Sequence, residues 1–298
     1  LNILWSLEQT AEKYADRVAV SDVNQELTWK ELVKKAQVIG AELSEKVQPG
    51  NPVPVLLEKS SETLAVMLGI VYAGCFYVPV NPMNPTERLR KIMEKLDPEV
   101  IISDEKGKEQ LAAVGNGLEN KVMGPEALKT ATGTELSEEQ YSRLEQIQGQ
   151  WKETDVLYGI FTSGSTGTPK AIVVSHGAAS RFIRHFTEIF EITSADVIGN
   201  QAPFDFDVSV KDIYSSIMTG AQLVLIPKEY FSTPPRLLDY LCDKKVTNLT
   251  WAVSALTLVS ALKGLNYRVP ESVKCSAEKQ CRQNSCVSGR KNCLKQSL

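Results

Sequence analysis

Long apolar runs are missing from this sequence, and histidine is scarce. No hydrophobic stretch approaches the roughly 20 residues that a membrane-spanning helix needs, so a membrane partner is not expected. The first residues show neither an initiator Met nor a basic segment followed by an apolar core. This pattern predicts a cytoplasmic protein without a signal peptide, and it suggests that residues are missing at the front.

The small number of metal-ligating histidines and the lack of excess positive charge argue against metal-binding and nucleic-acid-binding functions. Only two histidines occur, among scattered acids, so neither a zinc site nor a Ser-His-Asp triad can be assembled and no metal site is predicted. With 33 basic and 36 acidic residues the net charge is −3, which argues against a nucleic-acid partner. The 298 residues, 43% hydrophobic, suffice for one large domain or two small ones.

The six cysteines fall into two groups. Cys75 and Cys242 lie in apolar periodic segments and are predicted to be small buried side chains. The other four crowd the carboxyl-terminal stretch, at positions 275, 281, 286 and 293. Their spacing differs from the paired knuckles of structural zinc sites, so an unstructured tail is favoured over a metal site.

Helix and strand signals alternate along the chain. A capping box at Thr28 begins a helix whose apolar face includes Trp29, Leu32, Val33, Ala36, Ile39 and Leu43. Further helices are predicted at 61–72, 85–96, after 175, and at 209–218, 235–244 and 255–262, with Asn84 as the N-cap and Pro85 as the first residue of the second. Strands are predicted at 53–57, 76–80, 100–102, 156–161, 171–174, near 197, and at 223–226 and 246–251. This alternation predicts an α/β fold, a layered αβα arrangement with mainly parallel sheets.

Two segments depart from this alternation. Residues 115–150 are polar and are predicted to be a linker with some surface helix, between a first α/β part at 1–114 and a second part at 151–274. Residues 275–298 carry no apolar periodicity and are predicted to be a disordered tail that does not complete the preceding domain.

Hydroxyl side chains and glycines precede a lysine between two of the predicted strands. The residues concerned are Thr162, Ser163, Gly164, Ser165, Thr166, Gly167, Thr168 and Lys170. Glycines let backbone N–H groups approach an anion, and the hydroxyls and the ammonium add donors for phosphate oxygens. The spacing is not that of a Walker A loop. A flexible linker is the alternative, but it rarely joins two buried strands.

Residues 158–170 (YGIFTSGSTGTPK) resemble the phosphate loop of the adenylate-forming, or AMP-binding, superfamily. Residues 27–32 (LTWKEL) and 72–82 (YAGCFYVPVNP) are similar to the first two core motifs of its adenylation domains, as in nonribosomal peptide synthetases and D-alanine–carrier protein ligases. Ala171 departs from the usual glycine. The resemblance covers roughly 1–274 and implies an incomplete large N-terminal domain, with ATP and Mg²⁺ as cofactors and Thr162 and Lys170 as catalytic residues.

Residues 206–209 (FDVS) are similar to a motif of those family members that activate amino acids. The resemblance implies that Asp207 holds the α-ammonium group, while Val208, Lys211 and Ser254 line the side-chain pocket. If Asp207 is partly buried, its carboxylate needs a cation, and the substrate supplies one. Alternatives remain open. Asp207 or Asp205 could instead cap the following helix. Lys211 could bind an acidic or polar substrate side chain, or it could point into solvent at the helix rim. Phe204, Phe206 and Trp251 suit an aromatic core, and His176 suits a nucleotide contact, a surface position or a helix start.

The resemblance implies a reaction in which an amino-acid carboxylate attacks the α-phosphate of ATP. The acyl group then passes to the phosphopantetheine thiol of a carrier protein. Later family motifs, including a Mg²⁺-binding glutamate, a ribose-binding aspartate and a catalytic lysine, are not found in these residues. A truncated, inactive chain is therefore expected. A non-catalytic remnant that only binds is one alternative, and an acyl-CoA ligase-like enzyme, disfavoured by Asp207, is another.

Overall fold

The computed structural model describes residues 2–124, 135–162 and 169–251, and the backbone of 274–277. In chain order the elements are α1 Ile3–Lys13, β1 Val18–Ser21, β2 Glu26–Thr28, α2 Trp29–Ser44, β3 Pro52–Leu56, α3 Ser61–Tyr72, β4 Phe76–Pro79, α4 Thr86–Leu96, β5 Ile101–Ser103, α5 Glu105–Val114, β6 Val122–Met123, α6 Glu138–Gly149, β7 Val156–Thr162, β8 Lys170–Ser175, α7 His176–Ile189, β9 Val197–Asn200, α8 Val208–Thr219, β10 Gln222–Leu225, α9 Pro234–Asp243, β11 Asn248–Trp251 and β12 Lys274–Ala277. Short 3-10 helices cover Leu118–Lys121 and Lys228–Ser232.

These residues divide into two compact units that interleave in sequence. The first unit comprises Leu1–Gln9 and Lys30–Phe182, and the second comprises Thr10–Trp29 and Ile183–Leu298. Each unit contains one sheet. The predicted α/β class with mainly parallel sheets is confirmed.

The sheet of the first unit has the strand order β6-β5-β3-β4-β7-β8. Its neighbouring strands are parallel except β7 and β8, which form an antiparallel pair at one edge. Helix α3 is buried along almost its whole length, as its continuous apolar sequence predicted. On α2 the predicted apolar face is also found, with Leu32, Ala36, Ile39 and Leu43 buried.

The sheet of the second unit has the strand order β12-β11-β9-β10-β1-β2. Its neighbours are parallel except β1 and β2. A cluster of buried side chains from β10, α9 and β11 packs on it, and in this cluster the Trp251 ring lies 5.1 Å from the Phe231 ring. Within the described ranges, no helix is long and apolar enough to cross a membrane.

Several local predictions need correction. Helix α4 begins at Thr86 with Pro85 at the N-cap position, so Asn84 is not the N-cap. The polar segment is more than surface helix, because β6 pairs with β5 and Leu144 of α6 is buried. Strand structure also continues to Ala277, past the predicted start of the tail; residues 278–298 and the helix predicted at 255–262 lie outside the described residues. Cys75 is buried, whereas Cys242 is only half-buried.

Helices α2 and α3 approach closely at two glycines. A Cβ added to Gly40 would lie 2.5 Å from Cβ of Tyr72, and one added to Gly69 would lie 2.5 Å from Cγ2 of Ile39. Real Cβ atoms do not come so near, because a packed interior leaves no room for an additional carbon. Hydrogen is the only side chain that this helix contact admits.

Substituting Gly69→Ala should therefore destabilise the first unit, even though Ala is the better helix former. We expect a loss of roughly 1–3 kcal/mol in the free energy of unfolding, the usual range for overpacking. Urea denaturation followed by circular dichroism measures it. Gly149→Ala is the matched control, because nothing lies within 4 Å of a Cβ at the end of α6. Equal stability of the two variants would contradict the close contact.

Candidate functional site

The segment predicted to hold phosphate joins the antiparallel strands β7 and β8. Thr162 and Lys170 are cross-strand partners at the end of this hairpin where the connecting segment begins and ends. The predicted loop residues Ser163, Gly164, Ser165, Thr166, Gly167 and Thr168 lie outside the described residues. Thus the structure brings together the two flanking residues, both of them exposed.

Lys170 carries a charge that is open to a ligand. Its side chain is exposed, and among the residues that the structure describes no carboxylate lies within ion-pair distance of it. The neighbouring Thr162 hydroxyl is exposed as well. An ammonium group and a hydroxyl beside a loop rich in glycine and serine are a suitable donor set for phosphate oxygens.

Metal ligands are not gathered in the same way. Across 2–124, 135–162 and 169–251 there is no group of three or more His, Cys, Asp or Glu residues that could hold a metal ion. Thr162 and Lys170 therefore fit the phosphate part of ATP, while the described residues hold no cluster of three or more such ligands for Mg²⁺.

His176, which follows the hairpin, is a buried anchor at the start of α7. Its exposed fraction is 4%, and its ring lies 5.4 Å from the ring of Trp151. The backbone N–H of His176 donates to the carbonyl of Asp155 at 3.0 Å, and that of Gly177 donates to Glu153 at 2.7 Å. The expectation of a helix-start histidine is confirmed, but the surface position is wrong. These contacts fix the end of β8 against the turn before β7.

Burial lowers the pKa of His176 to about 4 from 6.5, and the nearby Asp155 carboxylate opposes this shift only in part. Above pH 6.5 the imidazole is neutral in both the folded and the unfolded chain. Between pH 6.5 and pH 4 the unfolded chain binds a proton that the folded chain does not. Stability must therefore fall as the pH falls through this window.

Replacing this imidazole tests the shift. In His176→Gln the free energy of unfolding should depend less on pH between 6.5 and 4 than in the parent chain, by at most the effect of one proton. Urea denaturation at several pH values measures this slope. The other histidine of the chain, His185, is exposed, so His185→Gln is the control for the loss of an imidazole. An unchanged slope in His176→Gln would contradict the burial argument.

Asp207 stands at the start of α8 in the second unit. It occupies the N-cap position with φ −59° and ψ −27°, and its side chain makes no capping hydrogen bond. The carboxylate is exposed, so the expectation that it is partly buried is wrong. Because the helix does not use this carboxylate as a cap, the local capping alternative lacks a hydrogen bond to support it.

The turn that presents Asp207 is fixed by its neighbours. The hydroxyl of Ser209 donates to the carbonyl of Phe206 at 2.7 Å and to that of Phe204 at 3.4 Å. Phe204 and Trp251 are buried, as expected for aromatic core residues, whereas Phe206 is 55% exposed. The backbone around Asp207 is therefore anchored from both sides while two consecutive side chains face water.

Lys211 lies one turn further along α8, and it is buried. Its Nζ donates to the carbonyl oxygens of Val208 at 2.9 Å and Thr250 at 3.3 Å, and it lies 3.6 Å from Oδ1 of Asp212. The alternative of a lysine in solvent at the helix rim is therefore wrong. Ser254, the remaining predicted pocket residue, lies outside the described residues.

Two buried polar residues near Lys211 were not identified from the sequence. Oδ2 of Asp212 accepts a hydrogen bond of 3.0 Å from Nδ2 of Asn200, which ends β9, and both residues are at most 2% exposed. The available signals were a polar residue that closes an apolar strand and an acid next to a lysine within an apolar helix. Each is common on protein surfaces, so neither pointed to this cluster.

A sequence profile described as AMP-binding enzyme matches residues 7–287. The chain belongs to this family. It is 32% identical to a mycosubtilin synthase polypeptide of Bacillus subtilis over 84% of its length, and 29% identical to the D-alanine–D-alanyl carrier protein ligase of Staphylococcus epidermidis over 90%. The structure of VinN with L-aspartate superimposes with a TM-score of 0.75 over 88% of this chain, at 23% identity.

The family match extends past residue 274, where the sequence predicted the family segment to end. This chain spans 9% of the mycosubtilin synthase polypeptide, 51% of the D-alanine ligase and 65% of the VinN chain. The chain therefore matches only part of the length of each of these proteins.

Proposed function

We propose that this chain takes part in the ATP-dependent activation of an amino acid as an aminoacyl-adenylate, for transfer to the phosphopantetheine thiol of a carrier protein. The observation that carries the proposal is the exposed carboxylate of Asp207 at the anchored start of α8. Relatives named as a mycosubtilin synthase and as a carrier-protein ligase for D-alanine support this class of substrate.

The hairpin of the first unit would bind the phosphates. ATP supplies the α-phosphate that the carboxylate of the substrate attacks, with release of pyrophosphate. Lys170, Thr162 and the loop residues 163–168 would hold phosphate oxygens and neutralise their charge, which is the main contribution that a protein makes to phosphoryl chemistry. The exposed, unpaired position of the Lys170 ammonium among the described residues supports this role.

The second unit would bind the amino acid. Asp207 would accept hydrogen bonds from the α-ammonium group, a charge-assisted contact that strengthens when the bound substrate excludes water. An exposed ion pair in water contributes little, so the contact gains its strength only in the complex. The family resemblance places Val208 and Ser254 beside the substrate side chain. It places Lys211 there as well, although the Nζ of this lysine donates to backbone carbonyls of the same unit.

Removing the ammonium of the hairpin tests the phosphate role. Lys170→Met should weaken binding of the non-hydrolysable ATP analogue AMPPNP roughly 10- to 100-fold, the equivalent of one charge-assisted hydrogen bond. Isothermal titration calorimetry on the full chain measures the affinity. Lys152→Met, which removes another exposed lysine of the same unit, is the control. Equal affinities of the two variants would refute the role of Lys170.

Neutralising Asp207 tests the substrate class. The twenty standard L-amino acids and D-alanine are first screened for thermal stabilisation of the chain in the presence of AMPPNP. For the ligands found, Asp207→Asn should lower the affinity roughly 10-fold or more, because the ammonium loses its countercharge, while AMPPNP binding is unchanged. Asp205→Asn is the neighbouring control.

One outcome would count against the role of Asp207, and another would count against the amino-acid function. An affinity that falls in Asp205→Asn and not in Asp207→Asn would move the ammonium site to the other acid. No amino-acid binding, together with binding of a fatty acid to the parent chain, would favour the acyl-CoA ligase alternative.

A further inference from the structure

Lys211 is a buried cation, and two of its three N–H donors are engaged within the second unit. An ammonium group has three N–H donors, and two of them reach carbonyl oxygens, one on its own helix and one on β11. The residue is 7% exposed, so its charge is largely removed from water. A lysine in this state is held in one position by fixed acceptors.

The charge of Lys211 is also balanced locally. The Asp212 carboxylate lies 3.6 Å from Nζ, is 2% exposed, and is itself held by the Asn200 amide. Buried charges persist in proteins when they are paired and hydrogen-bonded. A substrate carboxylate brought to this lysine would compete with Asp212 and leave a surplus negative charge, so the cluster does not favour an acidic side chain.

The atoms that Lys211 joins are adjacent to the proposed ammonium site. Val208, whose carbonyl accepts from Nζ, directly follows Asp207 in the first turn of α8. Thr250 belongs to β11, and Asn200 ends β9, which is the neighbouring strand in the sheet. The cluster of Lys211, Asp212, Asn200 and Thr250 therefore ties the first turn of α8 to the ends of two adjacent parallel strands.

We propose that Lys211 is a positioning residue, which fixes the first turn of α8, and with it Asp207, against β11, and that it does not contact the substrate side chain. The inference rests on the proposed function, because it assigns Asp207 to the α-ammonium group. It predicts that the loss of Lys211 weakens the ammonium contact of every amino acid alike.

The test compares ligands with and without an α-ammonium group. In Lys211→Met, which keeps an unbranched stem, affinity should fall roughly 10-fold for each amino acid that the parent chain binds, with either a neutral or an acidic side chain. The corresponding carboxylic acids without the amino group, and AMPPNP, should keep their parent affinities. The double variant with Asp207→Asn should bind amino acids no more weakly than Asp207→Asn alone, because both changes act on one contact.

A second variant protects the test against unfolding. Lys211→Met leaves Asp212 buried without its countercharge, which destabilises proteins strongly. Lys211→Met/Asp212→Asn removes both charges and still lacks the Nζ tether, so it should fold and show the same loss of amino-acid affinity. Thermal unfolding of each variant is measured beside the binding.

The outcomes separate the hypotheses. A loss confined to acidic amino acids would overturn the proposal, because Lys211 would then touch the substrate side chain. Equal losses for AMPPNP and for ligands without the amino group would overturn the proposal, because Lys211 would then contribute only to the general stability of the unit. Affinities equal to those of the parent chain for all ligands would overturn it as well. If Asp207→Asn alone has no effect on amino-acid binding, the assignment of Asp207 to the ammonium group fails, and this result is independent of the Lys211 variants.

Discussion

Parallel strands cannot be joined by tight turns, and this constraint organises both units. Each connection must return to the amino-terminal end of the sheet, so a helix usually follows the carboxyl end of a strand. In the second unit β9 leads to α8, β10 to α9, and the sheet places β9 between β10 and β11. The first turn of α8 must therefore begin near the strand ends where Asn200 and Thr250 lie. The ammonium site proposed at Asp207 depends on this connection.

The antiparallel pair in the first unit follows the opposite rule. Strands β7 and β8 lie side by side in opposite directions, so a short segment can join them directly. The two residues that flank this segment, Thr162 and Lys170, become cross-strand partners for that reason alone. The register of the hairpin alone would place both side chains beside one phosphate group. The anchored start of α7 holds one end of that hairpin in place.

Solvent exposure distinguishes the charged residues that a ligand can reach from those that are engaged inside the protein. Lys170 and Asp207 are exposed and lose little hydration before a ligand arrives. Lys211 and Asp212 are buried, and their charges are stable only because each has a partner. Asp207 and Asp212 carry the same charge on the same helix but lie in different environments. One faces solvent without a capping bond, while the other is part of the internal support for the turn that carries it.

Helices and strands with strong local periodicity, such as α3, and the family could be predicted from the amino-acid sequence, because periodicity and motif order are properties of neighbouring residues. The antiparallel direction of β8 and the pairing of β6 with β5 could not be predicted from local patterns and are known from the three-dimensional structure. The same holds for the exposure of Asp207 and the burial of Lys211. These features depend on contacts between distant residues, as in the hydrogen bond from Lys211 to Thr250 across 39 positions. Local patterns cannot tell a solvated lysine from one that finds its acceptors on another strand.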